Sequence, residues 1–168
     1  LFVITKALSA ALMGIDAFRV ELEVDLARQG MPAFTMVGLA EAAVRESKER
    51  VLTAMKNSGY RLPPSRITVN LAPADVRKEG SAYDLPLAMA LLAASEQMDF
   101  MALPGWFMAG ELSLTGQLKP VHGALPMAIR ARDEGAKGFL LPMENAREAA
   151  VVEGLDVYGV SSLVEAIE

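Results

Sequence analysis

The sequence predicts an α/β (α+β) domain in which a mixed β-sheet carries packed helices. Three observations lead there. Residues Phe18, Val20, Leu22, Val24 and Leu26 alternate strictly with Arg19, Glu21, Glu23 and Asp25, the period of a half-buried strand. Residues Leu85 to Ser95 are apolar almost all round, which places a helix in the middle of the core. Strand signals come first along the chain, and helix and strand signals then alternate. A chain of 168 residues can bury one proper core, so 1–168 reads as a single domain.

The elements follow in order. Phe2 to Leu12 and Phe18 to Leu26 are strands joined at Gly14-Ile15-Asp16, and Phe34 to Val37 is a third. Ala40 to Ser58 reads as one helix, with Val44, Val51, Leu52 and Met55 as its apolar stripe and Gly59 beyond its end. Its opposite charges sit four apart, at Glu41–Arg45, Arg45–Glu49 and Glu46–Arg50, so they can pair along one face. Ile67 to Leu71 is a buried strand after the extended Pro63-Pro64 connector. Asp84-Leu85-Pro86 opens the apolar helix, with Asp84 as its N-cap. Trp106 to Glu111 and Leu112 to Leu118 read as a hairpin turning at Thr115-Gly116. Gly123 to Glu134 is a helix, Phe139 to Leu141 and Val157 to Val160 are strands, and Asn145 to Val152 and Ser162 to Ile167 are short helices.

Composition narrows the function. Apolar residues make up 52% of the chain, yet no stretch approaches the ~18–20 continuous apolar residues of a membrane span. The excess belongs in a dense core or on a partner-facing surface. The start Leu1-Phe2-Val3-Ile4 lacks the basic residues and cleavage site of a signal peptide. With no cysteine there is no disulfide, thiol nucleophile or cysteine zinc site, and a cytoplasmic location is expected.

The net charge of −5 argues against a broad nucleic-acid coat, but the charge is uneven. Residues 133–168 hold eight acids against two bases. Lys56, Arg61, Arg66, Arg77 and Lys78 fall in one segment that holds a single acid, Asp75, and are the candidate nucleic-acid contacts. Tyr60 beside Arg61 adds a stacking residue of the kind single-strand binders use.

No metal site is expected. His122 is the only histidine, and neither HExxH nor a His-Cys spacing occurs. Asp75, Glu79 and Asp84 could group around one loop to hold Mg²⁺, but Asp84 already has a capping role. The phosphate-binding pattern G-x-x-x-x-G-K-[ST] matches nowhere, so no cofactor is expected in this chain.

The most specific pattern runs from Arg66 to Gly123. ITVNLAPAD at 67–75, RKEGSAYDLPLAMALLAAS at 77–95 and AGELSLTGQLKPVHGA at 109–124 follow in that order. They resemble the N-terminal Lon-like (ChlI-type) domain of the ComM/YifB family, bacterial AAA+ proteins described as Mg chelatase-like. They resemble more distantly the C-terminal domain of Lon proteases. The resemblance spans essentially the whole chain and implies a Lon protease C-terminal-domain-like fold. Lon proteases read K-D-G-P-S-A-G where this chain has Lys78-Glu79-Gly80, which puts the position of their nucleophilic serine at Ala82. Their lysine follows P-I-G-G-L, which puts its position at Leu125. The resemblance thus implies a protease fold with no catalytic residue, both dyad positions being degenerate. Ser81 lies one place off and reads as a turn residue, and Lys119 lies several places before the lysine position.

The resemblance further implies a hexameric AAA+ motor that acts on DNA, as in branch migration during natural transformation. ATP and Mg²⁺ would then bind a downstream AAA+ domain outside this chain. The expected partners are that domain, the other protomers of a ring, and DNA, with no membrane. Two alternatives stay open, an active Ser-Lys peptidase domain and a purely structural oligomerisation module.

Overall fold

The computed structural model describes residues 2–78 and 80–168. The chain opens on a hairpin of β1 (Phe2–Met13) and β2 (Asp16–Ala27), antiparallel along its whole length. Then come β3 (Ala33–Val37), α1 (Ala42–Arg45), α2 (Ser47–Asn57), β4 (Arg66–Ala72) and α3 (Asp84–Ala94). A short 3-10 turn over Phe100–Ala102 leads into β5 (Trp106–Met108), β6 (Glu111–Leu112) and β7 (Leu118–Lys119). The chain continues through α4 (Ala124–Asp133), β8 (Gly138–Pro142), α5 (Met143–Ala149), β9 (Val157–Val160) and α6 (Leu163–Ile167). Seven strands form one mixed sheet in the order β3-β4-β2-β1-β5-β8-β9, and β6 and β7 pair separately. The pairings make every strand of the large sheet run one way except β2.

Each face of the sheet carries its own core. On β1, Ala7 and Ala11 join the cluster that includes Val51 and Met55 of α2 and the whole apolar length of α3. Leu8 and Ala10 point the other way, into a cluster with Met127 and Ala128 of α4 and Ala149 of α5. The alternation of β2 does what its period implies: Val20, Leu22, Val24 and Leu26 are all buried. Every residue of α3 is buried, and Thr5 of β1 donates a hydrogen bond from Oγ1 to Ala90 O at 2.8 Å. A helix enclosed on all sides has no need of a polar face, hence its uniform composition.

Two local expectations need correction. Residues 40–58 form two helices, because the chain turns at Glu46. Of the three anticipated charge pairs only Glu46–Arg50 forms, at 3.7 Å. Arg45 instead donates to the carbonyls of Ala40 and Met36, and Glu41 pairs with Arg77. The second correction concerns Trp106 to Met108, which is not a hairpin arm but a strand of the large sheet between β1 and β8. Phe107, Met108 and Ala109 are a continuous buried run, the mark of a parallel strand covered on both faces. The hairpin is confined to β6 and β7, with Leu112 opposite Leu118.

Candidate functional site

Four segments converge on an open cleft of about 670 Å³. The end of β1 contributes Ala10 to Leu12, and the start of α1 contributes Glu41 to Ala43. The loop entering α3 contributes Gly80 to Tyr83, and the loop before α4 contributes Pro120 to His122. The strand ends and loops that form it are fixed by the sheet beneath, the arrangement in which sites commonly form. At Gly38 the chain passes so close to β4 that a Cβ would lie 2.2 Å from the Leu71 carbonyl oxygen. Only glycine tolerates that approach, at a φ of +107°.

Two pairs of polar groups in the cleft engage one another. Ser81 donates from Oγ to Glu111 Oε2 at 2.6 Å. Arg77 Nε lies 3.1 Å from Glu41 Oε1 across exposed surface. Ala82, expected from the resemblance at the position of the Lon nucleophile, lines the cleft with a methyl group. Leu125, expected from the resemblance at the position of the Lon lysine, packs against the α4/α5 core, and its backbone N–H donates to Glu148 Oε2 at 3.0 Å. Lys119 is exposed, and among the described residues no lysine lines the cleft. The arrangement holds a hydroxyl in place but sets no amine beside it, and that amine is what Ser-Lys chemistry needs to activate a nucleophile.

Behind the cleft lie two buried charges. Asp84 is fully buried, but it does not cap α3; Tyr83 is the residue at the cap, with no side-chain hydrogen bond there. The Asp84 carboxylate instead accepts from Ser47 Oγ at 2.5 Å, Arg50 Nε at 2.7 Å and the Leu112 N–H at 3.0 Å. It thereby ties α2 and β6 to the start of α3. Burial pushes the Asp84 carboxyl above the usual aspartate range, opposed by its hydrogen bonds from Arg50, Ser47 and Leu112. Its hydrogen bond to Asp84 holds the Arg50 guanidinium above its ordinary value. Lys78 is also fully buried, and its Nζ donates to the carbonyls of Gly38 and Pro73. Desolvation lowers its pKa. Its backbone bridges to the segment before α1, with Lys78 N donating to Leu39 O and Lys78 O accepting from Glu41 N.

Comparison with known proteins decides the family. The family model described as subunit ChlI of Mg-chelatase matches residues 22–145. The chain is 43% identical to the competence protein ComM of Haemophilus influenzae over 95% of its own length, which is 31% of that protein. It is 46% identical to YifB of Salmonella typhimurium, over 84% of this chain and 28% of that one. The chain belongs to the Mg chelatase-like ComM/YifB family. It spans less than a third of the length of these relatives. Lon protease 2 of Bacillus subtilis is a distant match, 24% identical over 88% of this chain and 29% of that protein.

The five candidate cations do not share one surface. Lys56, Arg61 and Arg66 are exposed, and Lys56 and Arg61 border one shallow hollow with Tyr60 and Leu62. Gln97, just past the end of α3, donates to Arg61 O, which places this group at the end of α3 away from the cleft. Arg66 begins β4 and Arg77 follows its far end, so the strand separates them by roughly 20 Å. Lys78 must be dropped from the set, because its amine is buried on two carbonyls. Of the residues weighed for Mg²⁺, Glu79 lies outside the described residues and both oxygens of Asp84 are taken up by protein donors. Among the described residues no three His, Asp or Glu side chains gather as metal ligands. No helix among them is long and apolar enough to cross a membrane.

Two residues that organise the site carry little local sign of that role in the sequence. Glu111 looked like the end of a strand, and Arg50 like half of a surface pair. The available signal was the lone buried-type carboxylate in Y-D-L-P, which calls for a cation from elsewhere in the chain.

Proposed function

We propose that this domain is a non-proteolytic Lon-like module of a ComM-type AAA+ protein, serving assembly or DNA contact and not peptide hydrolysis. The observation that carries the reading is the cleft: a methyl group, Ala82, lines it at the expected hydroxyl position, and Leu125, at the expected amine position, is half-buried against the neighbouring core. ATP and Mg²⁺ would act at an AAA+ domain elsewhere in the full protein, which would be a cytoplasmic motor. The relative from Haemophilus influenzae is named a competence protein, which fits processing of DNA in transformation by branch migration.

A DNA contact would rest on Lys56, Arg61 and Arg66. Three cations give weak, sequence-independent affinity that falls as salt rises, because each phosphate neutralised releases counterions. Titration of fluorescent single- and double-stranded DNA against the domain and a Lys56→Ala/Arg61→Ala/Arg66→Ala variant tests it. The expected result is equal weakening for every sequence, with a shallower salt dependence. Unchanged affinity would remove DNA from the role and leave assembly. The peptidase alternative requires cleavage of an unfolded protein that Ser81→Ala abolishes.

A further inference from the structure

Beyond Leu8 the sheet uses only one edge of β1. The turn Gly14-Ile15 brings Met13 opposite Asp16. A two-residue turn makes that closing pair a hydrogen-bonded one, and hydrogen-bonded pairs then alternate along the antiparallel ladder. Met13, Ala11 and Ser9 therefore direct their backbone groups at β2, and Leu12, Ala10 and Leu8 direct theirs to the other side. There β1 meets β5 at a single position, Leu8 opposite Phe107. β5 ends at Met108; Ala109 N then donates to Leu140 O and Gly110 N to Ala82 O, so the chain leaves β1. Among the described residues no strand flanks β1 on this side from Ala10 onward. The Ala10 C=O and the Leu12 N–H and C=O therefore open on the cleft, which both residues line.

The opposite wall is held in place. Val121 N donates to Asn145 Oδ1 at 2.9 Å, and Asn145 Nδ2 donates to Val121 O at 3.0 Å. A Cβ on Gly123 would lie 2.5 Å from Leu12 Cδ1, which seats Leu12 against that wall at one end. Ala42, Ala43 and Ala82 are small and leave the volume open, and the apolar side chains of Leu12 and Met13 are exposed beside it. The charges around the cleft are matched. Glu41 pairs with Arg77, Glu111 sits opposite Lys119 in the β6–β7 pair, and Asp84 behind them is held by Arg50. His122 is the remaining imidazole of the lining. A balanced rim draws in neither a polyanion nor a polycation and complements an occupant without net charge.

We propose that this cleft binds an extended, uncharged peptide segment of a partner protein, added to β1 as a further strand along Ala10 to Met13 and held there uncut. Main-chain donors and acceptors spaced along a strand are complementary to another main chain, and the space between the alanines takes the apolar side chains of the segment. Because both walls are already fixed, little ordering of the protein opposes binding. The proposal goes beyond assembly and DNA contact and requires neither.

The test is fluorescence anisotropy of a short, capped, labelled peptide of alternating valine and threonine, titrated with the wild-type chain. Two further peptides carry N-methyl groups on alternate amides, one in each phase. Side chains are kept in both, but only one phase removes the hydrogen bonds to β1. The expected result is saturable binding by the parent peptide, weakened at least about tenfold by methylation in one phase and much less in the other. Ala43→Trp, at an exposed lining position, should fill the cleft and weaken binding by a similar factor, with circular dichroism checking its fold. Hydrogen exchange of the Leu12 amide should slow at saturation, while that of Ala11, already bonded to β2, should not change. No binding up to about 1 mM would overturn the proposal. So would equal binding of all three peptides, an Ala43→Trp chain that binds normally, or displacement of the peptide by a single-stranded oligonucleotide, which would give the cleft to DNA. Mass spectrometry of the recovered peptide reports separately on the non-proteolytic reading, which fails if the peptide is cut, whatever its affinity.

Discussion

Removing Arg50 should expose how much the fold depends on the charge buried behind the cleft. Asp84 has no solvent contact, and Arg50 supplies two of its hydrogen bonds, at 2.7 and 3.1 Å. Arg50→Met keeps the length of the side chain and removes the cation. A buried carboxylate stripped of its partner costs about 3–5 kcal/mol, a large fraction of the 5–15 kcal/mol that holds a domain folded. The sign with pH follows from burial. Asp84 has a raised folded pKa, so between the ordinary aspartate value and that raised value the native state holds more proton than the unfolded one. Stability therefore falls as pH rises through that window. Without Arg50 the upper limit of the window moves higher, and the deficit should be larger at about pH 7 than at about pH 5. Urea unfolding of both proteins at the two pH values measures this. Replacing both partners, as Arg50→Met/Asp84→Leu, should recover much of the loss. A deficit under about 1 kcal/mol, or one independent of pH, would refute the buried pair as described.

Other perturbations have equally definite outcomes. Leu92→Ala should cost about 2–5 kcal/mol in urea unfolding, because α3 is enclosed on all sides and a cavity would remain, whereas an unchanged midpoint would show that α3 is not central. Gly38→Ala should destabilise by about 1–3 kcal/mol or more, since its Cβ would collide with the Leu71 carbonyl. Gly14→Ala, with nothing within 4 Å of its Cβ, should cost less, and thermal melts of the pair give the comparison. The 18.0 kDa chain at ordinary salt should sediment as a monomer or weak dimer, and a stable hexamer of this chain alone would contradict that expectation.

Much of the fold was legible because local pattern and tertiary environment agree. β2 alternates because one face is buried and the other is not, and α3 is apolar all round because it is enclosed on all sides. β9 falls where its residues placed it. What stayed hidden depends on residues far apart in sequence. Asp84 in front of a proline has the form of an N-cap, and only the approach of Arg50 and Leu112, 34 and 28 residues away, turns it into a buried ion-pair partner. Lys78 read as a surface cation because lysine seldom buries. The carbonyls of Gly38 and Pro73 that take its protons come together only when the segment after β3 meets the loop after β4. Trp106 to Met108 looked like a hairpin arm because a turn follows soon after, yet its partners are β1 and β8. The Ser81–Glu111 hydrogen bond joins the loop before α3 to β6, 30 residues further along, and nothing local in the sequence marks it.

The central claim is that this protease-like fold lacks protease chemistry, and the rate of casein cleavage tests it most directly. Unfolded, fluorescently labelled casein is incubated with equal amounts of the wild-type chain and of Ser81→Ala, and release of acid-soluble fluorescence is followed against a buffer control. The expected result is no release above the control from either protein. Turnover by the wild type that disappears in Ser81→Ala would contradict the account and make Ser81 a nucleophile.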